Sequence, residues 1–402
     1  MSDPRLEALH PFLRLSALLD EIPPGRSVAP DGKPILLQVG EPRNAPPDFV
    51  AETLAEAAAG WSRYPPPRGS ADYRAAVVEW LARRYDLPAG FLDPERNVLP
   101  LPGTREGLFF AALALTDKAE SGRGGEGRRR ILLPNPAYHV YSGAAAAIGA
   151  EAVAVPATAE TDFQPDYPGL DPAVLRSAAL AFLCSPANPQ GAVAGPEKLA
   201  ALIACAREHG FVAAVDECYS EIYFDGPPPG ALQSAAGTGS LENLLVFHSL
   251  SKRSSAPGLR CGFVAGDARL IDILDQALRF GGAGVPLPVL AAGARLWRDE
   301  THVTANRRRY QENFTIAERI LGNRFGVRSP AGGFFLWLDV GDGEAAALKL
   351  WREAGIRVLP GAYMCGKSAD DSRPGAPYIR IALVDDPILT EAALGRLAEV
   401  LQ

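Results

Sequence analysis

The chain has 402 residues but only five cysteines (Cys184, Cys205, Cys218, Cys261 and Cys365), with no CxxC pair among them. An odd count without paired spacing fits reduced thiols better than a disulfide framework, most of them small hydrophobes in apolar or tight-turn surroundings. Histidine is equally sparse. His10, His139, His209, His248 and His302 show no ligand spacing and no cluster with the cysteines, so no metal is expected. No Gly-rich nucleotide fingerprint sits between a strand and a helix. There is no basic excess either: the net charge is −7, which argues against nucleic acid as a partner. No charge-free apolar run reaches ~18 residues, so no membrane span is expected. The first residues, MSDPRLEALHPFLRLSALLDEI, mix acids and bases through their apolar positions and hold no continuous export-signal core, so the expected location is cytoplasmic. Internal repeats are absent.

What remains is an ordinary globular composition, 47% hydrophobic and 22% charged. Its length exceeds what one core usually holds, so two domains are expected. Through the middle, helical patterns alternate with short apolar runs. From an N-cap at Ser70, the positions Tyr73, Ala76, Val77, Trp80 and Leu81 follow helical spacing; Leu199, Leu202, Ile203 and Ala206 repeat it up to Gly210. The runs ILLP (from Ile131), LAFLCSP (Leu180), FVAAVDE (Phe211), LLVFHSLSK (Leu244) and GFVAG (Gly262) suit strands covered on both faces. They predict an α/β fold with a mostly parallel central sheet and functional residues at the strand ends. The Gly- and Arg-rich stretch 118–130 reads as a solvated loop, and YPPPRG and DGPPPG as rigid loops. After about Pro286 the chain turns helical, then alternates in FFLWLDV and YIRIALV, which predicts antiparallel strands with one face exposed. The expected division is a large domain over 41–285 and a smaller α+β domain from 1–40 and 286–402, with the N-terminal arm packed on the latter.

The segment HSLSKRSSAPGLRCG carries the strongest chemical signal. A lysine after a buried strand must be kept wet or paired. Between Ser249 and Arg260, Lys252 makes sense as an amine for an aldehyde cofactor: neighbouring cations depress a lysine pKa, and hydroxyls with a guanidinium suit a phosphate. The bland alternative is a surface loop with an incidental lysine. Gly103, Thr104 and Arg105 in LPGTREGLFF open a helix whose N-terminal N–H groups form a natural phosphate site, or simply a cap.

SLSKRSSAPGLRCG resembles the cofactor-lysine signature of class I/II aminotransferases, pyridoxal 5′-phosphate (PLP) enzymes of fold type I, and other elements of that family follow in order over nearly the whole chain. The resemblance implies that Lys252 forms the Schiff base with PLP and later acts as general base. It also implies that Ser249 and Arg260 bind the phosphate with Gly103, Thr104 and Arg105. Asp216, in DECYSEIYFD, would face the pyridine nitrogen and Tyr219 the ring hydroxyl, joined there by Asn188 of SPANPQGA, where Gln190 replaces the family's usual threonine. Tyr138, in PNPAYHVY, would stack on the ring. Arg380 in YIRIAL would grip the substrate's α-carboxylate, with Gly40 in LQVGEP leaving room beside it. Tyr64 would reach the phosphate of a neighbouring subunit, making the enzyme a homodimer with composite sites. His248 is expected to pack rather than catalyse.

Within the family, VFHSLSKRSSAPGLRCGFVAGD, GTREGLF, PNPAYHVY and RVLPGAY look most like bacterial N-succinyldiaminopimelate aminotransferases of lysine biosynthesis. That subfamily interconverts N-succinyl-2-amino-6-oxopimelate plus glutamate and N-succinyl-LL-diaminopimelate plus 2-oxoglutarate, with ping-pong kinetics. One stretch departs, RFGGAGVPLPV, where a more polar sequence is expected. A general aspartate or aromatic aminotransferase shares every residue named above. A PLP C–S or β-lyase shares the cofactor site. A PLP sensor joined to a DNA-binding module would need a helix-turn-helix domain, and about 40 residues ahead of the fold are too few for one.

Overall fold

Residues 10–116, 128–282, 284–327, 330–366 and 372–402 are described by the structure, a computed structural model. The first strand, β1 (Ile35–Leu36), belongs to the small domain. The next seven are β2 (Val98–Leu101), β3 (Arg130–Asn135), β4 (Glu151–Pro156), β5 (Ala178–Cys184), β6 (Val212–Asp216), β7 (Leu244–Ser249) and β8 (Gly262–Gly266). They form one sheet in the order β2-β8-β7-β6-β5-β3-β4. Strands β3 to β7 pair in parallel, and only β8 runs against its neighbours β7 and β2. The five apolar runs of the sequence are five of these strands.

Period-2 alternation sends successive side chains to opposite faces, and both faces are covered. Val246, Val215 and Phe263 join Trp80, Leu199, Ile203 and Trp297 on one side. Leu245, Phe247, Ala214 and Val264 join Leu108, Ala111, Tyr141 and Leu270 on the other. Each large apolar side chain buried this way contributes roughly 1.5–3 kcal/mol. The helices start and stop where the sequence predicts: Ser70 Oγ accepts from Tyr73 N at 3.2 Å ahead of the helix Ala71–Tyr85, and Gly210, at φ 71°, ends Pro196–His209. Most of the Gly- and Arg-rich loop, 118–127, lies outside the described residues.

The small domain carries β9 (Phe335–Asp339), β10 (Ile356–Arg357), β11 (Leu359–Pro360) and β12 (Tyr378–Ala382). The order β11-β12-β9 is antiparallel, as expected, with Arg380 opposite Trp337 and Leu359, while β10 pairs in parallel with β1. The expected open face is a different matter. All of Ile379–Ala382 is buried, because the helices Gly343–Ala354 and Pro387–Val400 and the aromatic cluster beside β6 cover both sides. The N-terminal helix Pro11–Leu19 does pack on this domain, with Leu15 and Leu19 against Trp351, Leu359 and Met364.

Helix Leu287–Arg298 buries Leu290, Ala292 and Trp297 in the large core beside Trp80, because its apolar stripe faces the helix Ala71–Tyr85. The next helix, Thr301–Leu321, crosses between domains: Tyr310 packs in the large core, Phe314, Ala317 and Leu321 in the small one. Among the described residues no helix is long and apolar enough to cross a membrane.

Candidate active site

The C-terminal ends of the parallel strands open into a cavity of about 520 Å³. Gly40, Thr104, Arg105, Tyr138, Asn188, Asp216, Tyr219, Ser249, Lys252, Arg260 and Arg380 all line it. Strand β7 ends at Ser249, whose hydroxyl caps the one-turn helix Leu250–Arg253 by accepting from Ser251 N at 3.1 Å. That turn carries Lys252, whose Nζ donates to Gly40 O at 2.5 Å. Burial pushes the Lys252 pKa down to about 8; Cys218 and Glu41 oppose the drop, and Arg380 and Arg105 reinforce it. The amine is thus far closer to its free-base form at neutral pH than a surface lysine.

Asp216 ends β6 on the same rim. Its carboxylate accepts from Cys218 N at 3.2 Å and from Tyr141 OH at 3.3 Å. Burial raises its pKa above the usual carboxylate range, while bonds from Cys218 and Tyr141 and the neighbouring His248 pull it down. Tyr219 stands edge-on to Phe334 and Phe335. The loop after β5 brings Asn188, whose Oδ1 accepts from Arg380 Nη1 at 2.8 Å, so its amide N–H₂ stays available as a donor. Gln190 donates to Pro136 O and Ala157 O, which explains how glutamine keeps this loop closed in place of threonine.

Beside β2, Gly103 is the N-cap of the helix Thr104–Leu115 and offers no side-chain cap, so first-turn N–H groups are left for a ligand. Its φ is 126°, and a Cβ there would meet Arg260 Nη2 at 2.5 Å, which only glycine avoids. Arg260 itself is fixed by Glu106, Nη2 lying 2.8 and 2.9 Å from the two carboxylate oxygens. Arg105 donates from Nε to Tyr138 OH at 2.9 Å, and among the described residues no carboxylate lies within ion-pair reach of its guanidinium. Arg380 is 4% exposed; Nη2 donates to Gln38 O at 2.6 Å, Nε has no partner among the described residues, and Phe335 lies under the guanidinium at 4.3 Å. Desolvation lowers its pKa to about 10. A buried cation without a counter-ion on a cavity wall is a site for an anion.

Two expected residues stand apart. Gly103 sits behind the wall as the cap just described, and Tyr64 lies outside the cavity with 95% of its surface exposed. The departing stretch 281–289 keeps it company: Gly284 abuts Pro65, and Leu287 and Pro288 abut Gly60. None of its described residues lines this chain's cavity. His248 points to the opposite face of the sheet, 3.0 Å from Glu217 and edge-on to Trp80, and so packs. Sequence reasoning missed Glu41, Cys218, Tyr141, Phe12 and His139. Tyr141 and His139 share the stretch that holds Tyr138, and Cys218 lies two residues after Asp216, so proximity to named residues was the available signal. Phe12 arrives from the N-terminal helix, which no local pattern reveals. His139, 5.0 Å from the His10 ring, is held near pKa 3 by burial, His10 and Arg105, so it is neutral.

The sequence model of the family Aminotransferase class I and II matches residues 32–394. The chain belongs to that family. Such aminotransferases work with PLP, and the wall described above fits it: a depressed lysine for the aldehyde, a buried carboxylate for the ring nitrogen, and an uncapped helix start with a fixed arginine for the phosphate. Members act on small amino and oxo acids and are typically dimeric. Among curated aminotransferases, the chain is 34% identical to 4-dedimethylamino-4-oxo-anhydrotetracycline transaminase of Streptomyces rimosus, over 92% of this chain and 94% of that one. It is 30% identical to LL-diaminopimelate aminotransferase of Maridesulfovibrio salexigens, over 98% of each. Of solved structures, an aminotransferase from Neisseria meningitidis superposes with TM-score 0.89 at 37% identity, covering 98% of each chain. A probable N-succinyldiaminopimelate aminotransferase from Thermus thermophilus does so with TM-score 0.83 at 26% identity, over 97% of this chain and 100% of that one.

Proposed function

We propose that this aminotransferase acts on amino acids bearing a second, distal carboxylate, and that its substrate pair is N-succinyl-LL-diaminopimelate and 2-oxoglutarate, run reversibly against N-succinyl-2-amino-6-oxopimelate and glutamate. The observation that carries the reading is that Arg380 and Arg105, neither ion-paired among the described residues, line one cavity. Arg380 would take the α-carboxylate, held for it by Asn188 and the Gln38 carbonyl. Arg105, which the family resemblance puts at the cofactor phosphate, is assigned here instead to a carboxylate further out, because its Nε is turned to Tyr138 OH. At Gly40, a Cβ would strike Phe335 at 2.5 Å, so glycine lets that ring pack under Arg380.

When bound, PLP supplies an aldehyde for amine exchange and a conjugated ring that accepts electrons from the substrate's Cα–H bond. Lys252 Nζ would hold the cofactor aldehyde and, as a free amine, would take the proton from the substrate's Cα, a task its depressed pKa suits. Asp216 would keep positive charge on the ring nitrogen, Tyr219 and Asn188 would hold the ring hydroxyl, and Tyr138 would pack beside the ring. Ser249, Arg260, Thr104 and the Gly103 turn hold the phosphate, with Tyr64 serving that of a partner subunit. One site serves both half-reactions, hence ping-pong kinetics.

A transamination panel with 2-oxoglutarate as acceptor tests the substrate. kcat/KM for N-succinyl-LL-diaminopimelate should exceed that for aspartate, alanine or phenylalanine by orders of magnitude, since a site with paired charges strongly rejects analogues lacking them. A better rate with aspartate or an aromatic amino acid would refute the substrate and leave the family assignment standing. A second reading, unsuccinylated LL-diaminopimelate, draws on the name of the Maridesulfovibrio relative, and the same panel separates the two.

A further inference from the structure

We propose that Asn306 is a positioning residue that binds the substrate-side loop 40–44 to the Lys252 segment, so that the two move as one unit. The inference rests on the reading of Lys252 as the cofactor amine.

Asn306 occupies a core-facing place on the helix Thr301–Leu321, in register with Val303, Tyr310, Phe314 and Ala317, and is 7% exposed. Asparagine is a poor helix former and a costly residue to bury unless its amide is satisfied. Here it is. Nδ2 donates to Lys252 O at 3.0 Å and to Arg253 O at 3.2 Å. Oδ1 accepts from Ser255 Oγ at 2.9 Å and from Asn44 Nδ2 at 2.9 Å. Both donors and both lone pairs are therefore used.

The partners explain the residue. The helix Leu250–Arg253 is a single turn, too short to pair its own last carbonyls, and the Lys252 and Arg253 carbonyls are those orphans. Asn306 satisfies them from another element and thereby fixes the backbone that carries Lys252. Its oxygen holds Asn44, at the far end of the loop that starts at Gly40. That loop is thus tied to Lys252 twice: at Gly40, whose carbonyl accepts from Lys252 Nζ, and at Asn44, through Asn306 to the Lys252 backbone. Between the two ties, Arg43 pairs with Asp385 of the small domain, and Gly40 and Glu41 face the cavity. When Lys252 Nζ is engaged by the cofactor it cannot also hold Gly40 O, so in the loaded protein the Asn306 tie is the one that persists.

The groups acting on the Lys252 amine include Cys218, Arg380, Arg105 and, from this loop, Glu41, which favours the protonated form. Freeing the loop at Asn44 withdraws Glu41, so a titration that reports on Lys252 should move to lower pH.

The experiment uses the full-length, cofactor-loaded protein as wild type, Asn44→Ala, Asn306→Ala and the double variant. Two quantities are read for each: the midpoint of the pH titration of the visible absorbance, and KM and kcat for glutamate. Asn44→Ala should lower the midpoint and raise KM by roughly three- to tenfold, the scale of one hydrogen bond. Added to Asn306→Ala, it should change neither further, since the tie is already cut. An Asn44→Ala protein with wild-type midpoint and KM, or two variants whose effects simply add, would overturn the proposal. Should Asn306→Ala fail to fold, Asn44→Ala decides alone, because Asn44 touches Lys252 only through Asn306. A wild-type protein without a visible band that borohydride bleaches would instead remove Lys252 as the cofactor amine, and this inference with it.

Discussion

Two guanidiniums that make no ion pair among the described residues face one cavity, and their surroundings separate their duties. Arg380 is buried, held by Asn188 Oδ1 and Gln38 O, and has nowhere else to point. Its replacement by alanine should reduce kcat/KM for every amino acid alike, by about 1.5–3 kcal/mol of lost charge-assisted bonding. Arg105, anchored only by Tyr138, should behave otherwise: Arg105→Gln should depress kcat/KM for N-succinyl-LL-diaminopimelate while sparing alanine. Steady-state kinetics on both variants with both substrates check this, and an equal loss for alanine would contradict it. Lys252 offers a pH prediction. Only the free amine attacks an electrophile, so labelling of Lys252 in cofactor-free protein should rise with pH and be half-maximal near pH 8, the value to which burial lowers its pKa. Peptide mapping by mass spectrometry against surface lysines measures it; a midpoint near that of the surface lysines would show that the amine is not desolvated.

Elements, rather than single side chains, decide whether the phosphate can be held. The turn at Gly103 brings the free start of the helix Thr104–Leu115 against Arg260. Gly103→Ala should introduce a strained φ, about 1–3 kcal/mol, and displace the guanidinium, weakening PLP binding tenfold or more while leaving the fold intact. An absorbance titration of cofactor-free protein with PLP gives the number. The same scale shows what a sequence makes visible. Strands β3, β5, β6, β7 and β8 were legible because a strand buried on both faces must be apolar throughout. The cover over β12 was not, because alternation reports side-chain chemistry and not what later helices place on top. The packing of helix Leu287–Arg298 is hidden for the same reason: its apolar stripe is plain in the sequence, but its place beside Trp80 is set by tertiary contacts. Site residues at strand ends were legible through their resemblance to the family's motifs, whereas Phe12 reaches the cavity from the N-terminal helix, which no motif marks.

At the scale of the whole molecule, Tyr64 is the residue that one chain cannot explain, since it is exposed and far from its own cavity. Trp61, three residues before it, is likewise a large aromatic side chain left more than half exposed. If this face meets a second copy, mixing Tyr64→Ala protein with Lys252→Ala protein should restore part of the activity through hybrid dimers, in which one site keeps both residues. Activity of the mixture no greater than that of its components, or a fully active monomer at micromolar concentration, would refute the composite site.

The pairing of β1 with β10 joins Ile35 to Ile356, residues far apart along the chain. On the ribosome, at about 5–20 residues per second, the first emerges on the order of tens of seconds before the second. All seven strands of the large sheet are complete by Gly266, so that domain has its pairing partners while the arm around Ile35 and Leu37 has none. Until β10 arrives, an apolar strand and the amphipathic helix ahead of it remain exposed. Nascent chains halted between the large sheet and Ile356 should therefore be the ones that chaperones hold, and release should coincide with synthesis of the last domain.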